Sequence, residues 1–481
     1  MPRVKLNSTL RAAVCVCAMS GCAPSLSQNP PREAKKEVPT AFGGTPGASK
    51  AASGADANAG MQVWSQFFTD PNLKQLIEGA LANNQELNIR LQEIIVANTE
   101  VLARTGEYLP SLGVGVGAGL DRPGEWTTDG KADRATGVPD PKGDFKFGLF
   151  ASWEIDIWKK LRNAAKAAQM RYLASIQGKN FLMTQIIAEI ARSYYELMAL
   201  DNQLEVLKGN IKIQQDALAV VRYEKEAARA TQLAVQRFEA EVLKNQGRQF
   251  YLEQQIIEAE NKINFLVGRY PQPVARNSAS FNNPVPTVIQ AGIPSQLLDN
   301  RPDVKQAEYE LEAAKLDVNV AKKRFYPSLS IDAELGYESF NLKHLVTTPE
   351  SLAANLAGNL VAPLLNRRAI KAQYFAANAE QLKAVYNYER ALLQAFTEVA
   401  NQVSMIDNLQ KSYELESQQV DLLTQAIEVS NVLFQSARAD YMEVLLTRRD
   451  ALTSQMELID TKLRQMQSVV NVYQALGGGW H

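Results

Sequence analysis

Two kinds of hydrophobic spacing divide this chain. Between Phe145 and Ile157 every second residue is apolar. Phe145, Phe147, Leu149, Ala151, Trp153, Ile155 and Ile157 share one face, with Lys146, Gly148, Phe150, Ser152, Glu154 and Asp156 on the other. Three more runs alternate in the same way. Leu112, Val114, Val116, Ala118 and Leu120 oppose Gly113, Gly115, Gly117 and Gly119. Leu329, Ile331, Ala333, Leu335 and Tyr337 oppose Ser330, Asp332, Glu334, Gly336 and Glu338, and Leu352, Ala354, Leu356, Leu360 and Leu364 alternate with Asn355, Ala357 and Asn359. A period of two means a strand with one apolar face, so strands are expected near 111–121, 145–157, 328–340 and 352–364. After Trp158 the spacing changes to steps of three and four: Leu173, Ile176, Met183, Ile187, Ile190, Tyr194, Leu197, Leu204 and Ile211, with Asn180, Asp201 and Lys208 interrupting the track. That is a coiled-coil stripe, and a helix of about 60 residues is about 90 Å long. A return arm is expected from about Thr231 to Val267, and a second hairpin from about Arg368 to Ala475. Shorter helices are expected from Asp70-Pro71, a cap followed by Pro at the first helical position, to about Thr105, and from Pro302 to about Arg324.

The two halves echo one another. Leu109-Pro110-Ser111-Leu112 returns as Tyr326-Pro327-Ser328-Leu329. Ile157-Trp158-Lys159-Lys160 is answered by Leu364-Leu365-Asn366-Arg367. Ala228-Arg229-Ala230-Thr231 returns as Ala437-Arg438-Ala439-Asp440, with Val235 and Val444 in matching places. The order is kept, and similar offsets of roughly 210 residues imply two copies of one unit. Each copy reads as helix, two strands and a long helical hairpin. The plan is residues 1–21 as a signal peptide, 22–60 as a tether, 61–270 as the first repeat, 271–294 as a linker, 295–476 as the second repeat and 477–481 as a tail.

Each alternating run is close to the 9–11 residues that cross a bilayer as a tilted strand, and the face opposite the apolar one is polar or small, as a watery lumen requires. Lys146, Glu154, Asp156, Asp332 and Glu334 are the candidate lumen charges. Alternation alone is shared by a half-buried soluble sheet; the N-terminus and the helices shift the balance. Arg3, Lys5 and Arg11 precede an apolar stretch from Ala12 to Met19, then Met19-Ser20-Gly21-Cys22. This is the layout of a secretory signal peptide, and its last four residues resemble the site where bacterial lipoproteins are lipidated on Cys and cleaved before it, although Met19 stands where Leu is usual. Cys22 is therefore the candidate lipidated residue, with Ala23 after it resembling outer-membrane sorting. The most apolar helical stretch, Phe181 to Leu200, carries Glu189, Arg192 and Glu196 and does not suit a membrane. Four strands cannot close a barrel alone, and open edges are not tolerated in lipid. Spanning strands therefore require several chains to share one barrel.

Composition narrows the chemistry further. Among 481 residues the formal net charge is −1, which gives no sign of a nucleic-acid partner. No proline lies between Pro141 and Pro271 or after Pro363, consistent with long helices. Cys15, Cys17 and Cys22 crowd the N-terminus, and His344 and His481 are the histidines, so the body holds no cysteine or histidine cluster for a metal or a disulfide. No nucleophile–base motif or phosphate-binding glycine loop occurs. An envelope enzyme is thereby disfavoured, and the repeated strands disfavour a plain coiled-coil lipoprotein. Ala23 to Gly60, rich in Pro, Gly, Ala, Ser and Asn, reads as a flexible tether.

Four segments carry a resemblance. Trp153-Glu154-Ile155-Asp156-Ile157-Trp158-Lys159-Lys160-Leu161-Arg162, Ile293-Pro294-Ser295-Gln296-Leu297-Leu298-Asp299-Asn300-Arg301-Pro302-Asp303-Val304, Tyr441-Met442-Glu443-Val444-Leu445 and Leu476-Gly477-Gly478-Gly479-Trp480 occur in order. With them the chain resembles the TolC-like outer-membrane factors, in the NodT-like lipoprotein branch that serves resistance-nodulation-division pumps. The resemblance implies a mixed α/β membrane protein. Each two-repeat protomer would supply four transmembrane β-strands to a shared trimeric 12-stranded barrel, and long coiled-coil helices would form a periplasmic tube closed at its tip. It implies a homotrimer, a periplasmic adaptor protein, an inner-membrane pump that supplies the energy, outer-membrane lipid, no nucleic acid, and no cofactor beyond the lipid on Cys22. The implied docking tips are Ala228, Arg229, Ala230 and Thr231, and Ala437, Ala439 and Tyr441. Glu443, Arg438 and Asp440 are the implied pore gate, with Glu443 in a threefold acidic ring. Family members usually have Gly at the positions of Ala228 and Ala437, which predicts a more helical turn here, and Leu446 replaces a second acid. Ala234, the repeat partner of Glu443, has no charge.

Overall fold

The computed structural model describes residues 23–26, 30–39, 42, 59–283, 294–365, 367–436 and 438–480. In chain order its main elements are α1 (Pro71–Asn83), α2 (Gln85–Gly106), β1 (Ser111–Asp121), α3 (Thr128–Thr136), β2 (Lys142–Ile155), α4 (Lys160–Glu226), α5 (Gln232–Val267), α6 (Pro302–Lys323), β3 (Ser328–Ser339), β4 (Leu352–Val361), α7 (Arg368–Gln435) and α8 (Tyr441–Ala475). The chain divides into two compact units. One holds the strands with the adjoining helix ends, and the other holds the greater part of the long hairpins with α1.

In the first unit the strands form one antiparallel sheet in the order β1-β2-β3-β4. The central pair, β2 with β3, joins the two repeats. The register aligns the apolar positions in rows. Val116 stands beside Phe147, Tyr337 and Leu352, and Leu112 beside Ala151, Ala333 and Leu356. A one-residue slip would turn any strand inside out, so the pattern specifies the pairing. β4 stops at Val361, short of Pro363, a residue that has no amide to donate to the ladder.

The base of the sheet explains the tryptophans of the first motif. Trp158 Nε1 donates to the Pro327 carbonyl at 2.8 Å, and its ring lies 5.1 Å from that of Tyr326. Trp153 Nε1 donates to the Tyr108 carbonyl. The echoed Pro-Ser-Leu segment of the second repeat is thus docked against the Trp158 turn of the first.

In the second unit α4, α5 and α8 share a core. Leu207 and Ile211 of α4 pack with Leu252 of α5 and with Leu452 and Met456 of α8. α7 lies along α8, where Gln419 bonds Ser454 and Gln465 bonds the Leu409 carbonyl. The heptad track of α4 is the core face: Ile187, Ile190, Tyr194 and Leu197 are buried. Two interruptions have local partners. Asp201 holds the Arg276 guanidinium, and Lys208 faces Glu253. The second and fourth motifs meet each other. Buried Arg301 binds Asp303, Glu398 and the Ala475 carbonyl, while Trp480 Nε1 donates to the Asn300 carbonyl. Desolvation opposes the charge of Arg301, yet the Asp303 and Glu398 carboxylates raise its pKa above the ordinary value. Gly477 sits at φ 86°, and a Cβ there would fall 2.4 Å from the Asn300 carbonyl oxygen, so glycine is required.

Three sequence expectations change. The helix expected from Pro71 to Thr105 is two helices, broken at Asn84, whose ψ of 125° is extended. Its side chain caps α2 by accepting from Leu87 N, and its amide donates to the Leu266 carbonyl. The segment read as a flexible tether is docked in part. In the strand-bearing unit Glu33 pairs with Lys315, and Gln381 donates to the Arg32 carbonyl. In the other unit the Lys35 amide donates to Glu389. One of these contacts uses the Glu33 side chain and the other two use main-chain groups, which composition does not record. Asp156 lies one residue beyond β2, and its two oxygens accept from the Leu161 and Arg162 amides. It is the N-terminal cap of α4 rather than a strand charge, because those amides have no partner inside the helix.

Candidate conduit and hairpin tips

The sheet has two chemically distinct faces. On the apolar one Leu112, Val114, Val116, Leu120, Leu356 and Leu360 are exposed in a single chain, with Val116 at 80%. A contiguous apolar face of this kind marks a surface made for lipid or protein. No helix among the described residues is long and apolar enough to cross a membrane.

The other face carries the expected charges. Lys146 lies 3.6 Å from Asp144 and 3.5 Å from Glu338. Asp332 accepts from Ser152 Oγ at 2.8 Å and from Asn359 Nδ2 at 3.0 Å, linking three neighbouring strands. Glu334 stands beside Phe150 and Asn355 in the register. Glu154 pairs with Lys160, the first residue of α4. Phe150, the large apolar residue on this face, lies over β1. A Cβ on Gly115 would come 2.5 Å from its ring, which is the reason for glycine there. The structure therefore gathers Lys146, Asp332 and Glu334 on one polar face and assigns Asp156 to the helix start.

The hairpin turns are built alike in the two repeats. In the first, the Arg229 and Ala230 amides donate to the Glu224 carbonyl; in the second, the Arg438 and Ala439 amides donate to the Leu433 carbonyl. Ala228 adopts φ 58°, the left-handed region that favours glycine. The expectation of a more helical turn is thus corrected. The backbone keeps the conformation a glycine would take, because the following amides need that reversal to reach the last free carbonyls of α4. Thr231 caps α5, its Oγ1 accepting from the Ala234 amide at 3.2 Å. Ala437 and Cys22 lie outside the described residues.

The two turns differ in what surrounds them. Ala230 and Tyr441 pack against the cluster of Leu218, Val221, Ala234, Val235, Phe238 and Val242. Tyr441, an expected docking residue, is therefore half-buried between the hairpins, and Ala439 is also partly covered. Arg229, Arg438, Asp440 and Glu443 are exposed, and their side chains make no ion pair among the described residues. Asp440 stands at the cap position of α8 without capping it. Glu443 lines an open groove of 540 Å³ whose other walls include Leu422, Val429, Leu433 and Leu446. Ala234, by contrast, is fully buried. The acid is present in one repeat alone because the equivalent place in the other is core.

Arg448 was not singled out in the sequence. It lies in α8 between the two hairpins, donating to Asn431 Oδ1 and to the Ile213 carbonyl, while its Nε is buried without a partner. Desolvation lowers its pKa below the ordinary guanidinium value. One arginine among many on polar helices carries no sequence signal that would have marked it.

Comparisons with known proteins agree with this architecture. The chain matches the outer membrane efflux protein family over residues 76–269 and 293–478. It is 28% identical over 433 residues to the pyoverdine export outer membrane protein OpmQ of Pseudomonas aeruginosa, covering 89% of this chain and 90% of that one. It is 25% identical over 421 residues to the probable outer membrane lipoprotein SilC of Salmonella typhimurium, covering 87% and 88%. The structure of the outer-membrane channel OprN superposes with a TM-score of 0.84 at 21% identity, over 94% of this chain and 99% of that one, and so shares its fold. The match takes in the four strands and the long hairpin helices of both repeats, and the chain belongs to the outer membrane efflux protein family as an efflux channel of the outer membrane.

Proposed function

We propose that three copies of this chain close one twelve-stranded barrel and form a gated conduit that passively conducts substrates outward. The observation that carries this is the sheet itself. Its apolar face runs across all four strands, while β1 and β4 remain edges with unpaired amides and carbonyls. Such edges are costly in lipid unless another strand completes the ladder. An adaptor protein at the hairpin turns would couple the conduit to an inner-membrane resistance-nodulation-division pump, which would supply both energy and substrate choice. Arg229, Ala230, Arg438 and Ala439 are the side chains available at those turns. Glu443, exposed and unpaired, would form a threefold acidic ring that favours cations. A covalent lipid on Cys22 would hold the N-terminus to the membrane, a reading supported by the description of SilC as a lipoprotein.

The test is single-channel recording of the purified protein in planar bilayers, wild type against Glu443→Ala. Discrete cation-selective steps that lose selectivity in the variant are the expected result. Steps unchanged by the substitution would keep the conduit and remove Glu443 from the gate. Silence in the wild type, in Glu443→Ala and in a tip-loosened Arg438→Ala would overturn the conduit itself.

A further inference from the structure

We infer that Gly115 keeps the barrel lumen wide by letting the Phe150 ring lie flat against the wall, so that this pair governs the largest solute that passes the strands. The inference rests on the three-copy reading, in which the polar face of the sheet lines the conduit. It goes beyond that reading by naming the residues that set the bore.

Phe150 breaks the pattern of its face. The other β2 residues on that side are Asp144, Lys146, Gly148, Ser152 and Glu154, and among them one aromatic ring stands where water is expected. A strand side chain ordinarily stands away from its sheet, so a ring at this place would project into the lumen. Here it does not. The register sets Phe150 opposite Gly113, yet its ring leans over Gly115, the diagonal neighbour on the same face. A Cβ on Gly115 would lie 2.5 Å from ring Cε2 and 2.9 Å from ring Cδ2. The half-buried ring therefore occupies the space that any side chain at 115 would need.

The rest of that level of the sheet is bare. Gly115 pairs with Gly148, Gly148 with Gly336, and Gly336 with Ala353, so no residue of this row carries more than a methyl group. The glycines have different reasons. A Cβ on Gly148 would stand 2.7 Å from the Gly336 Cα, and one on Gly336 would stand 2.5 Å from the Gly148 Cα. Close backbone approach requires glycine at that pair, whatever lies in the lumen. At Gly115 the nearest atoms all belong to the Phe150 ring. A ring can turn about its side-chain torsions where a backbone cannot, so a side chain at 115 lifts the ring off the wall. At Gly117, two residues along, a Cβ would meet nothing nearer than the Lys146 Cβ at 3.8 Å, an ordinary contact. β1 thus carries one glycine that controls a ring and a neighbouring one that does not. Three copies would put three such rings at one level of the barrel, and the diameter of a pore decides which solutes pass it.

Single-channel recordings on the full-length protein in planar bilayers test this, first in potassium chloride and then in tetrabutylammonium chloride. Every sample carries Arg438→Ala, so that the tip does not limit the current. Gly115→Ala should lower the tetrabutylammonium step, relative to the potassium step, roughly twofold. Adding Phe150→Ala to Gly115→Ala should recover it, and Gly117→Ala should leave it unchanged. An unchanged ratio in Gly115→Ala overturns the inference and leaves the conduit standing. A loss that Phe150→Ala does not recover assigns the effect to the strand itself and also overturns it. Phe150→Ala alone gives a measure that does not depend on Gly115→Ala folding. A rise in its ratio well below twofold supports a ring flat on the wall, whereas a rise of roughly twofold or more shows a ring already projecting and overturns the inference. Silence in the Arg438→Ala parent and in the wild type overturns the conduit reading and this inference with it.

Discussion

The α4–α5 and α7–α8 hairpins turn on the same backbone hydrogen bonds and differ in what lies around them. At the first turn the residue three beyond the cap, Ala234, is sealed in a core with Val235 and Phe238. At the second, Glu443 faces an open groove. A duplicated unit therefore preserved its turn and divided its labour. Three residues beyond the cap, one hairpin supplies packing through Ala234 and the other presents an acid in Glu443. The physical lesson is that backbone geometry tolerates either residue, whereas the surroundings do not.

The comparison can be broken most severely by putting the acid on the wrong hairpin. Ala234→Glu buries an unpaired carboxylate and should cost on the order of 3 kcal/mol, read as a fall in the thermal unfolding temperature of the detergent-solubilised protein. The caps give a smaller contrast. Thr231→Ala removes a made cap bond and should destabilise by about 1 kcal/mol, whereas Asp440→Ala, at a cap position without a bond, should change stability by less than about 0.5 kcal/mol; chemical denaturation curves of the two variants compare them directly. Ala228→Gly relieves a left-handed alanine at the cost of unfolded-state entropy, so a net gain of about 0.5 kcal/mol is expected by the same measurement. The smallest change in stability, under about 0.5 kcal/mol, is expected for Glu443→Gln. Its effect should fall instead on cation over anion permeability in bilayer recordings. A large stability loss there would show that Glu443 has a structural role and would erase the contrast between the hairpins.

Much of the fold was legible in the spacing of apolar residues. Strand faces at a period of two and a helical stripe at three and four require no tertiary knowledge, because each element has to bury one side of itself. The features that were missed depend on single polar contacts. Asn84 interrupts a run that looks helical because its side chain can cap the next helix and reach Leu266. Asp156 continues the alternation of β2 in sequence yet turns to the α4 amides, which need it more than the strand face does. Residues 30–39 are poor in apolar side chains, but Glu33 finds Lys315.

The sequence by itself determined the duplication, the strand faces, the long helices and the place of Glu443 beside the second turn. These follow from periodicity, which is local. Tertiary structure alone decided that Ala234 is core and Glu443 is not, and that Ala228 keeps a left-handed backbone. Those outcomes depend on which helix lies beside which, a relation between residues hundreds of positions apart that no local pattern encodes.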